Sequence, residues 1–310
     1  MPSVLRIGTR GSPLALVQTA EVRGALETRW ARDGLTFAVE TITTTGDQVT
    51  DRPLTEIGGK GLFTKEIDRA LLAGEIDCAV HSMKDMESVL APGIVIAGVL
   101  PRSDPRDCLI GAEGFSLAEL PKGARLGTSA VRRRAQALAK RPDLQIVPMR
   151  GNVGSRLAKL ERGEADAIIL AKAGLDRLGK SGLIGHVFDI AEMLPDACQG
   201  VIAIAARAGD ARVCGLIEAI CDQTTFITCR AERALSAGLD GSCRSPIGAY
   251  AQIKGGRLVL DGAVFSPEGD ETIRRRIEGA PEEAPALGAR LAQMLRAEGS
   301  PRILKVLGGA

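Results

Sequence analysis

The sequence has few aromatic residues and few histidines, and its positive and negative charges nearly balance. Aromatic side chains make up 3% of the 310 residues, which argues against a groove that stacks sugars or single-stranded nucleic acid on aromatic faces. The formal net charge of +2 gives no general attraction for nucleic acid, so any positive field must be local. The two histidines, His81 and His186, are far apart in sequence, and we expect no metal site.

Signals for export and for membrane insertion are also missing from the residue pattern. The first residues, MPSVLRIGTRG, do not combine a basic region with a long apolar stretch. No uninterrupted apolar run reaches the roughly 18 residues of a membrane span. The seven cysteines are an odd number without a C-x-x-C pair, which suits a reducing compartment. We therefore expect a cytoplasmic protein that binds neither membrane nor nucleic acid and, lacking a coiled-coil seam, is a monomer.

The hydrophobic residues, 45% of the chain, form short strand-like runs that alternate with helical patterns. This alternation predicts an α/β fold with two similar lobes. Two local repeats support the similarity. Ile7-Gly8-Thr9 and Leu126-Gly127-Thr128 each end a strand and open a helix, and Gly-Glu-x-Asp joins a helix to a strand at 74–77 and again at 163–166. Gly-Glu-x-Asp is also a common helix-to-strand turn, but duplicated α/β lobes explain the paired repeat better.

Two proline-containing links divide the chain. The segments PRSDPRD (101–107) and LPDACQG (194–200) are typical of two strands of one hinge. The first lobe would then be discontinuous, with residues 1–100 and 200–220, and the second would comprise residues 105–195. Beyond about residue 221 the pattern changes to a helix, three strand-like runs and a final helix from about Glu282 to Ala297. This predicts a small α+β C-terminal domain over residues 221–310.

Arginines occur at three predicted strand-to-helix turns. The turns are GTRGSPLA with Arg10 and the capping residue Ser12, GTSAVRRR with Thr128, Ser129, Arg132 and Arg133, and MRGNVGSRLAKL with Arg150 and Arg156. Cations near a helix N-terminus oppose the helix dipole, and a bound anion would offset this. Strand ends of an open α/β sheet meet at one edge, so these guanidinium groups could converge on carboxylates or phosphates. The alternative is a set of solvated surface arginines.

The polar string HSMKDM, residues 81–86, follows the apolar strand IDCAV. Asp85, beside Lys84, could stabilise a cationic intermediate and transfer protons. A structural or solvated aspartate is the alternative. The role of His81 is also undecided, since this histidine could simply cap the turn.

Cys243 lies in DGSCRSPIGAY, between the small residues Gly241-Ser242 and the basic Arg244. A neighbouring cation favours a lowered thiol pKa. The sequence around it shows no protease signature, and a catalytic cysteine normally requires a histidine base. A covalent anchor is therefore favoured over a nucleophile that turns over, while an ordinary buried cysteine stays an alternative.

Together these segments resemble the porphobilinogen deaminase family, in the same order and over nearly the whole chain. They are LRIGTRGSPLAL, GGKGLFTKEID, HSMKDM, LGTSAVRRRAQ, MRGNVGSRLAKL, AKAGLDRL and CRAERALSAGLDGSCRSPIGAYA. The resemblance implies a three-domain enzyme whose first two lobes are similar to a periplasmic-binding-protein fold with a hinge. It implies that four porphobilinogens are condensed into hydroxymethylbilane with release of ammonia. It also implies a dipyrromethane cofactor held by a thioether to Cys243.

The resemblance assigns roles to individual residues. Asp85 would assist loss of the amine and stabilise an azafulvene cation. Cofactor carboxylates would be held by Lys84, Thr128, Ser129, Arg132, Arg133 and Arg156, with Asp85 on the pyrrole nitrogens. The substrate position would be lined by Arg10, Ser12, Arg150, Arg156, Arg177 and Gln199. The segment TTGDQVTDRPLTEIGGKG would be a mobile lid, from which Lys60 could reach the site.

The sequence departs from the family pattern at three positions. Ala130 stands where many relatives have a second serine, Cys198 replaces the first glycine of a Gly-Gln-Gly, and Ala205 replaces an acidic residue. The altered hinge puts the motion between the lobes in question.

A second hypothesis is a two-lobed binding protein or effector-sensing domain for a small anion, without catalysis. The fold does not separate the two hypotheses, because one fold hosts many functions. Cys243 favours the enzyme, since a simple binder does not need it.

Overall fold

The computed structural model describes residues 4–30, 32–48, 64–111, 116–239 and 245–305. The chain divides into two compact units. The first comprises residues 1–103 and 201–226, and the second comprises residues 104–200 and 227–310. Each unit is therefore built from two separate stretches of chain.

The first unit contains a mixed sheet of five strands covered by helices. Its elements are β1 (Val4–Arg10), α1 (Pro13–Trp30), β2 (Thr36–Ile42), α2 (Thr45–Gln48), α3 (Lys65–Leu72), β3 (Cys78–Ser82), a 3-10 turn (Met83–Asp85), β4 (Ile94–Val99), β10 (Ile202–Arg207), α7 (Ala211–Glu218) and the start of α8 (Gln223–Gly238). The strand order is β2-β1-β3-β10-β4. Strand β1 pairs in parallel with β2 and β3, whereas β10 is antiparallel to both of its neighbours.

The second unit contains a five-stranded sheet and a three-stranded sheet. Its elements are β5 (Asp107–Ile110), β6 (Arg125–Gly127), α4 (Val131–Lys140), β7 (Gln145–Val147), α5 (Val153–Glu161), β8 (Ala167–Ala171), α6 (Lys172–Arg177), β9 (Ile184–Val187), the rest of α8, β11 (Ile247–Lys254), β12 (Arg257–Phe265), β13 (Thr272–Gly279), α9 (Ala284–Ala297) and α10 (Ser300–Lys305), with 3-10 turns at Leu117–Glu119, Ser181–Leu183 and Pro281–Glu283.

The two five-stranded sheets have matching topology. The order in the second is β7-β6-β8-β5-β9, in which β6 pairs in parallel with β7 and β8 and β5 is antiparallel to both neighbours. Position by position, this repeats the arrangement of the first sheet. The registers match as well, because Ile7 pairs with Cys78 and Leu126 pairs with Ala167. The prediction of an α/β fold with two similar lobes is confirmed.

The three-stranded sheet is antiparallel, in the order β11-β12-β13, and packs against helices α8 and α9. Its core contains Leu235 from α8, Leu258 and Leu260 from β12, and Leu291 from α9. Leu258 and Leu260 are two residues apart in β12, so their side chains lie on the same face of the sheet. The predicted small α+β C-terminal domain is confirmed. The predicted bounds of the three domains stay predictions, because the second compact unit contains both the five-stranded sheet of the second lobe and the three-stranded sheet of the C-terminal domain.

Some elements differ from the sequence expectations. The last long helix, α9, begins at Ala284, because the 3-10 turn Pro281–Glu283 precedes it. Helices α6, α7 and α10 and strand β9 were not expected. They are short, with 4 to 8 residues each. Runs of that length carry too few turns or alternations for a periodic pattern to stand out.

Candidate functional site

Arg10 and His81 lie at the carboxyl ends of the neighbouring parallel strands β1 and β3. His81 is 6% exposed, and burial lowers its pKa to about 4, with a further contribution from the positive charge of Arg10. Its Nε2 and the Oγ1 of the fully buried Thr9 have no hydrogen-bond partner within the described ranges. This sheet edge therefore combines a cation with a neutral imidazole.

Ser12 caps the helix that follows β1. Its Oγ accepts a hydrogen bond from the N–H of Ala15 at 3.4 Å, and its carbonyl accepts from Leu16 at 3.0 Å. Pro13 occupies the first helical position, as predicted. Part of the hydrogen-bonding capacity of Ser12 is thus used within the helix, and its role in binding substrate stays a prediction.

Asp85 ends the 3-10 turn that directly follows β3. Two buried methionines flank the pair Lys84-Asp85, because Met83 is 2% exposed and Met86 is 8% exposed. The N–H of Met83 also donates to the carbonyl of Val201 at 3.0 Å. The turn is therefore anchored on both sides while the carboxylate of Asp85 is exposed.

The turn before α4 is held by its own hydroxyl groups. Thr128 Oγ1 accepts from the N–H of Ala130 at 3.2 Å, and Ser129 Oγ accepts from the N–H of Met149 at 3.0 Å. Ala130 is the N-cap residue and offers no side-chain oxygen to the helix. The turn thus connects the ends of β6 and β7, and the first turn of α4 lacks the usual side-chain cap.

Arg132 and Arg133, at the start of α4, bind one buried carboxylate. Arg133 donates from Nη2 and Nε to Asp107 Oδ1 at 2.8 and 3.1 Å, and Arg132 Nη1 lies 2.8 Å from Oδ2. All three side chains are buried. Burial opposes ionisation of Asp107, but the charges of the two arginines outweigh it and hold the pKa of this carboxyl below its usual range.

Gln199 also contacts Asp107. Its Nε2 donates to the carbonyl of Pro105 at 2.7 Å and to Asp107 Oδ1 at 3.0 Å. The preceding residue, Cys198, has a φ of 61°, a left-handed conformation in which glycine is less strained. This explains the departure at Cys198 in physical terms: the backbone geometry of a glycine is kept, with a side chain added. The N–H of Cys198 donates to the buried carboxylate of Glu232.

Three further predicted arginines follow strands β7 and β8 in the chain: Arg150 lies after β7, Arg156 lies in α5 and Arg177 ends α6. Arg156 donates from Nε to the carbonyl of Gly151 at 2.8 Å, and Arg177 donates from Nη2 to the carbonyl of Gly200 at 3.2 Å. Arg150 Nη1 is buried and has no hydrogen-bond partner among the residues that the structure describes. An unpaired guanidinium nitrogen of this kind is suited to bind an anion.

The structure brings some of the predicted residues together and leaves others untested. Arg132, Arg133 and Gln199 meet at Asp107, which the sequence analysis missed. The signal was a charged residue that opens the apolar strand DCLIG. The remaining placements are as follows: Arg10, Ser12, Lys84 and Asp85 belong to the first unit, Thr128, Ser129, Arg150, Arg156 and Arg177 belong to the second, and Cys243, Lys60 and most of the predicted lid lie outside the described residues.

The donor set of the second unit fits a ligand with several carboxylates. Two buried guanidinium groups face one buried carboxylate, which leaves an excess of positive charge at the N-terminal turn of α4. Arg132 Nε, like Arg150 Nη1, is buried without a hydrogen-bond partner in the described part of the chain. Guanidinium groups bind carboxylates with strong, charge-assisted hydrogen bonds.

A separate groove of about 730 Å³ lies in the first unit, between α3 and residues 86–94. Its described lining includes Leu72, Met86, Val89 and Ile94 but none of the predicted site residues. We therefore do not assign the site to this groove.

The described residues include neither a metal centre nor a membrane span. Within them, no group of three or more His, Cys, Asp or Glu side chains could hold a metal ion. No helix in the same ranges combines the length and the apolar character that crossing a bilayer requires.

Comparisons with known proteins agree along nearly the whole chain. A family model described as porphobilinogen deaminase, dipyromethane cofactor binding domain, matches residues 5–215, and one described as porphobilinogen deaminase, C-terminal domain, matches residues 226–297. Porphobilinogen deaminase from Paracoccus denitrificans is 49% identical over 292 residues, which cover 94% of this chain and 93% of the relative. The porphobilinogen deaminase from Roseiflexus sp. is 47% identical over 304 residues, which cover 98% of this chain and 99% of the relative.

Among solved structures, substrate-binding domain 2 of Lactococcus lactis GlnP in its open conformation is similar with a TM-score of 0.39 and 13% identity, covering 70% of this chain and 86% of that one. The family models and the relatives show that the chain belongs to the porphobilinogen deaminase family.

Proposed function

We propose that this chain joins four porphobilinogen molecules, one after another, into hydroxymethylbilane and releases one ammonia at each addition. Membership of the family makes the chain a transferase of tetrapyrrole and heme biosynthesis, and its residues 5–215 match the domain that binds a dipyrromethane cofactor. The observation that carries the residue-level proposal is the excess of buried guanidinium groups at the start of α4. The pyrrole units carry acetate and propionate groups, so a growing chain of them is a polyanion.

We infer that the cofactor is attached by a thioether to Cys243. Support comes from four of the other six thiols, each of which is buried. Burial raises the pKa of both Cys78 and Cys108 to about 12, and Cys198 and Cys229 are buried as well. A buried, protonated thiol is a poor nucleophile and has no room for a substituent. The sequence around Cys243, with small residues before it and Arg244 after it, favours a reactive and accessible thiol.

The cofactor, when bound, supplies the primer from which the chain grows. We propose that its carboxylates are held by Lys84, Thr128, Ser129, Arg132, Arg133 and Arg156. Arg10, Ser12, Arg150, Arg156, Arg177 and Gln199 would bind the incoming substrate. The planar guanidinium fork can bind a carboxylate through two parallel hydrogen bonds, which fixes orientation as well as charge.

Asp85 is the proposed catalytic residue. In its protonated form the carboxyl group can give its proton to the departing amine of the substrate, and the carboxylate that remains can stabilise the positive charge left on the substrate. The two buried methionines beside it support this role, because they hold the turn in place while the carboxylate stays exposed. The pyrrole N–H groups are suitable donors to the same carboxylate.

We propose further that the protein is a cytoplasmic monomer that binds no nucleic acid. The support is the sequence pattern: a nearly balanced net charge, an odd number of cysteines, and the missing coiled-coil seam.

The first experiment is intact-protein mass spectrometry on fully matured wild-type protein. The proposal predicts an added mass that corresponds to a dipyrromethane and that is absent from Cys243→Ser. Unmodified wild-type protein that binds small anions and does not consume porphobilinogen would instead favour the binding-protein hypothesis.

The second experiment tests the acid–base role. Asp85→Asn should keep the added mass and lose turnover, because the amide cannot pass a proton or balance positive charge. Glu87→Gln is the control, since it removes a carboxylate two residues away. Near-normal turnover in Asp85→Asn would rule out the proposed role of Asp85.

A further inference from the structure

We propose that Asp107 is a positioning residue, which holds Arg132 and Arg133 in the orientation that binds a ligand carboxylate at the start of α4. This inference rests on the proposed function of the α4 turn. Asp107 would not touch the ligand and would act through the two arginines.

Several buried contacts fix each of the two guanidinium groups. Arg133 donates to Asp107 and, from Nη1, to the carbonyl of Ile169 in β8 at 3.1 Å. Arg132 Nη1 lies 2.8 Å from Asp107 and donates to the carbonyl of Leu194 at 2.7 Å. Neither group can rotate away without losing a buried carboxylate and a buried carbonyl, and such losses are costly.

The charge balance at the start of α4 favours an anion. One carboxylate faces two guanidinium groups, so one positive charge is left over in a site where the side chains of Arg132 and Arg133 are 4% and 6% exposed and that of Asp107 is fully buried. The N-terminus of α4 adds the positive end of the helix dipole. Because an uncompensated buried charge is unfavourable, the turn favours an anion. Arg132 Nε, which has no partner among the described residues, is a donor still available to that anion.

An amide in place of the Asp107 carboxylate would disturb the two guanidinium groups. Asp107→Asn has nearly the same shape, but its NH2 group would face a guanidinium N–H, so two donors would oppose each other. One of the two arginines must then turn away. Ligand binding should weaken, whereas the chemical step at Asp85 should not change directly.

Asp261→Asn is a matched control. Asp261 is 4% exposed and lies 2.9 Å from Arg276 and 3.9 Å from Arg274, on the three-stranded sheet. Both Asn variants remove a buried carboxylate that is paired with two arginines, so both should lower the melting temperature. Only Asp107→Asn removes a carboxylate that contacts the arginines at the start of α4.

The experiment measures the fraction of protein that carries the cofactor mass, together with KM and kcat for porphobilinogen. We expect Asp107→Asn to lower the loaded fraction or to raise KM about tenfold or more, with kcat of the loaded protein changed by less than about threefold. Asp261→Asn should resemble wild type in both readouts. Equal effects of the two variants, or an unchanged loaded fraction and KM in Asp107→Asn, would overturn the inference.

A second comparison applies if Asp107→Asn does not fold. Arg133→Gln leaves Arg132 paired with Asp107, whereas Arg133→Gln with Asp107→Asn leaves Arg132 alone with its positive charge. If Asp107 positions Arg132, the double variant has the higher KM. If Asp107 only reduces the local charge, the double variant has the lower KM, and the inference fails. Wild-type protein without any attached mass would count against the proposed function and not against this inference.

Discussion

Asp166 binds both the backbone and the side chain of Arg125, since its carboxylate accepts from the backbone N–H and the guanidinium Nη2, each at 2.7 Å, and from Nε at 3.4 Å. Asp77 makes the same three contacts with Arg6, at 2.8, 2.9 and 3.1 Å. In each unit this fork joins an interior strand, β1 or β6, to the turn that precedes the neighbouring strand of the sheet, β3 or β8. The repeat in sequence therefore corresponds to a repeated hydrogen-bonded unit.

The two forks should differ in their contribution to stability. The side chain of Asp77 is 16% exposed and lies 3.7 Å from Arg207 as well, whereas the side chain of Asp166 is 43% exposed. We expect Asp77→Ala to lower the free energy of unfolding by about 2 kcal/mol and Asp166→Ala by at most about 1 kcal/mol, because solvent screens the exposed pair. Chemical denaturation of both variants measures the difference. Equal losses would show that burial does not strengthen the fork.

The sequence predicted only part of this arrangement. Gly-Glu-x-Asp indicated the turn, and Gly74 and Gly163 do adopt φ angles of 74° and 72°. The arginine partners could not be predicted, because they lie 71 and 41 residues away in sequence. Only the sheet order places them beside the turn.

The site was predictable to a similar degree. The strand-to-helix turns were located correctly, since each directly follows a local apolar run. The surroundings of Arg132 and Arg133 were not. Their partner Asp107 heads β5, an antiparallel strand that enters the sheet beside β8 after the chain crosses from the first unit. A local pattern contains no information about that neighbour, so the two arginines could not be recognised as buried.

His81 should make stability depend on pH in a defined window. Burial and the charge of Arg10 lower its pKa to about 4 in the folded protein, whereas an unfolded histidine has a pKa of about 6.5. The unfolded chain therefore binds a proton that the folded chain does not. The resulting stability is fully present above pH 6.5 and is lost as the pH falls toward 4, by about 3 kcal/mol in total.

Unfolding free energies measured across this window test the assignment. We expect His81→Asn to lose most of the wild-type slope between about pH 6.5 and 4.5. His186→Asn is the control, because His186 is the other histidine of the sequence and its side chain is 29% exposed. A His81→Asn curve parallel to that of wild type would contradict the assignment.

Gly269, at the tip of the β12–β13 hairpin, lies against the backbone of α4. A Cβ added there would lie 2.5 Å from both the carbonyl oxygen of Ala135 and the amide nitrogen of Ala139. The residue also has a φ of 78°, which is unfavourable for any side chain. Gly256 offers a matched comparison, because its φ is 75° and a Cβ added there would meet nothing within 4 Å.

Both glycines should lose stability on substitution by alanine, but by different amounts. Gly256→Ala carries only the backbone cost of about 1 kcal/mol. Gly269→Ala carries the same cost and must also push the hairpin and α4 apart, which adds about 2 kcal/mol because helix backbone cannot move as a flexible side chain can. Denaturant unfolding of the two variants isolates this second contribution. Equal losses of stability in the two variants would mean that the hairpin can shift freely. In that case the contact with the C-terminal domain would not fix the position of α4 and of its residues Arg132 and Arg133.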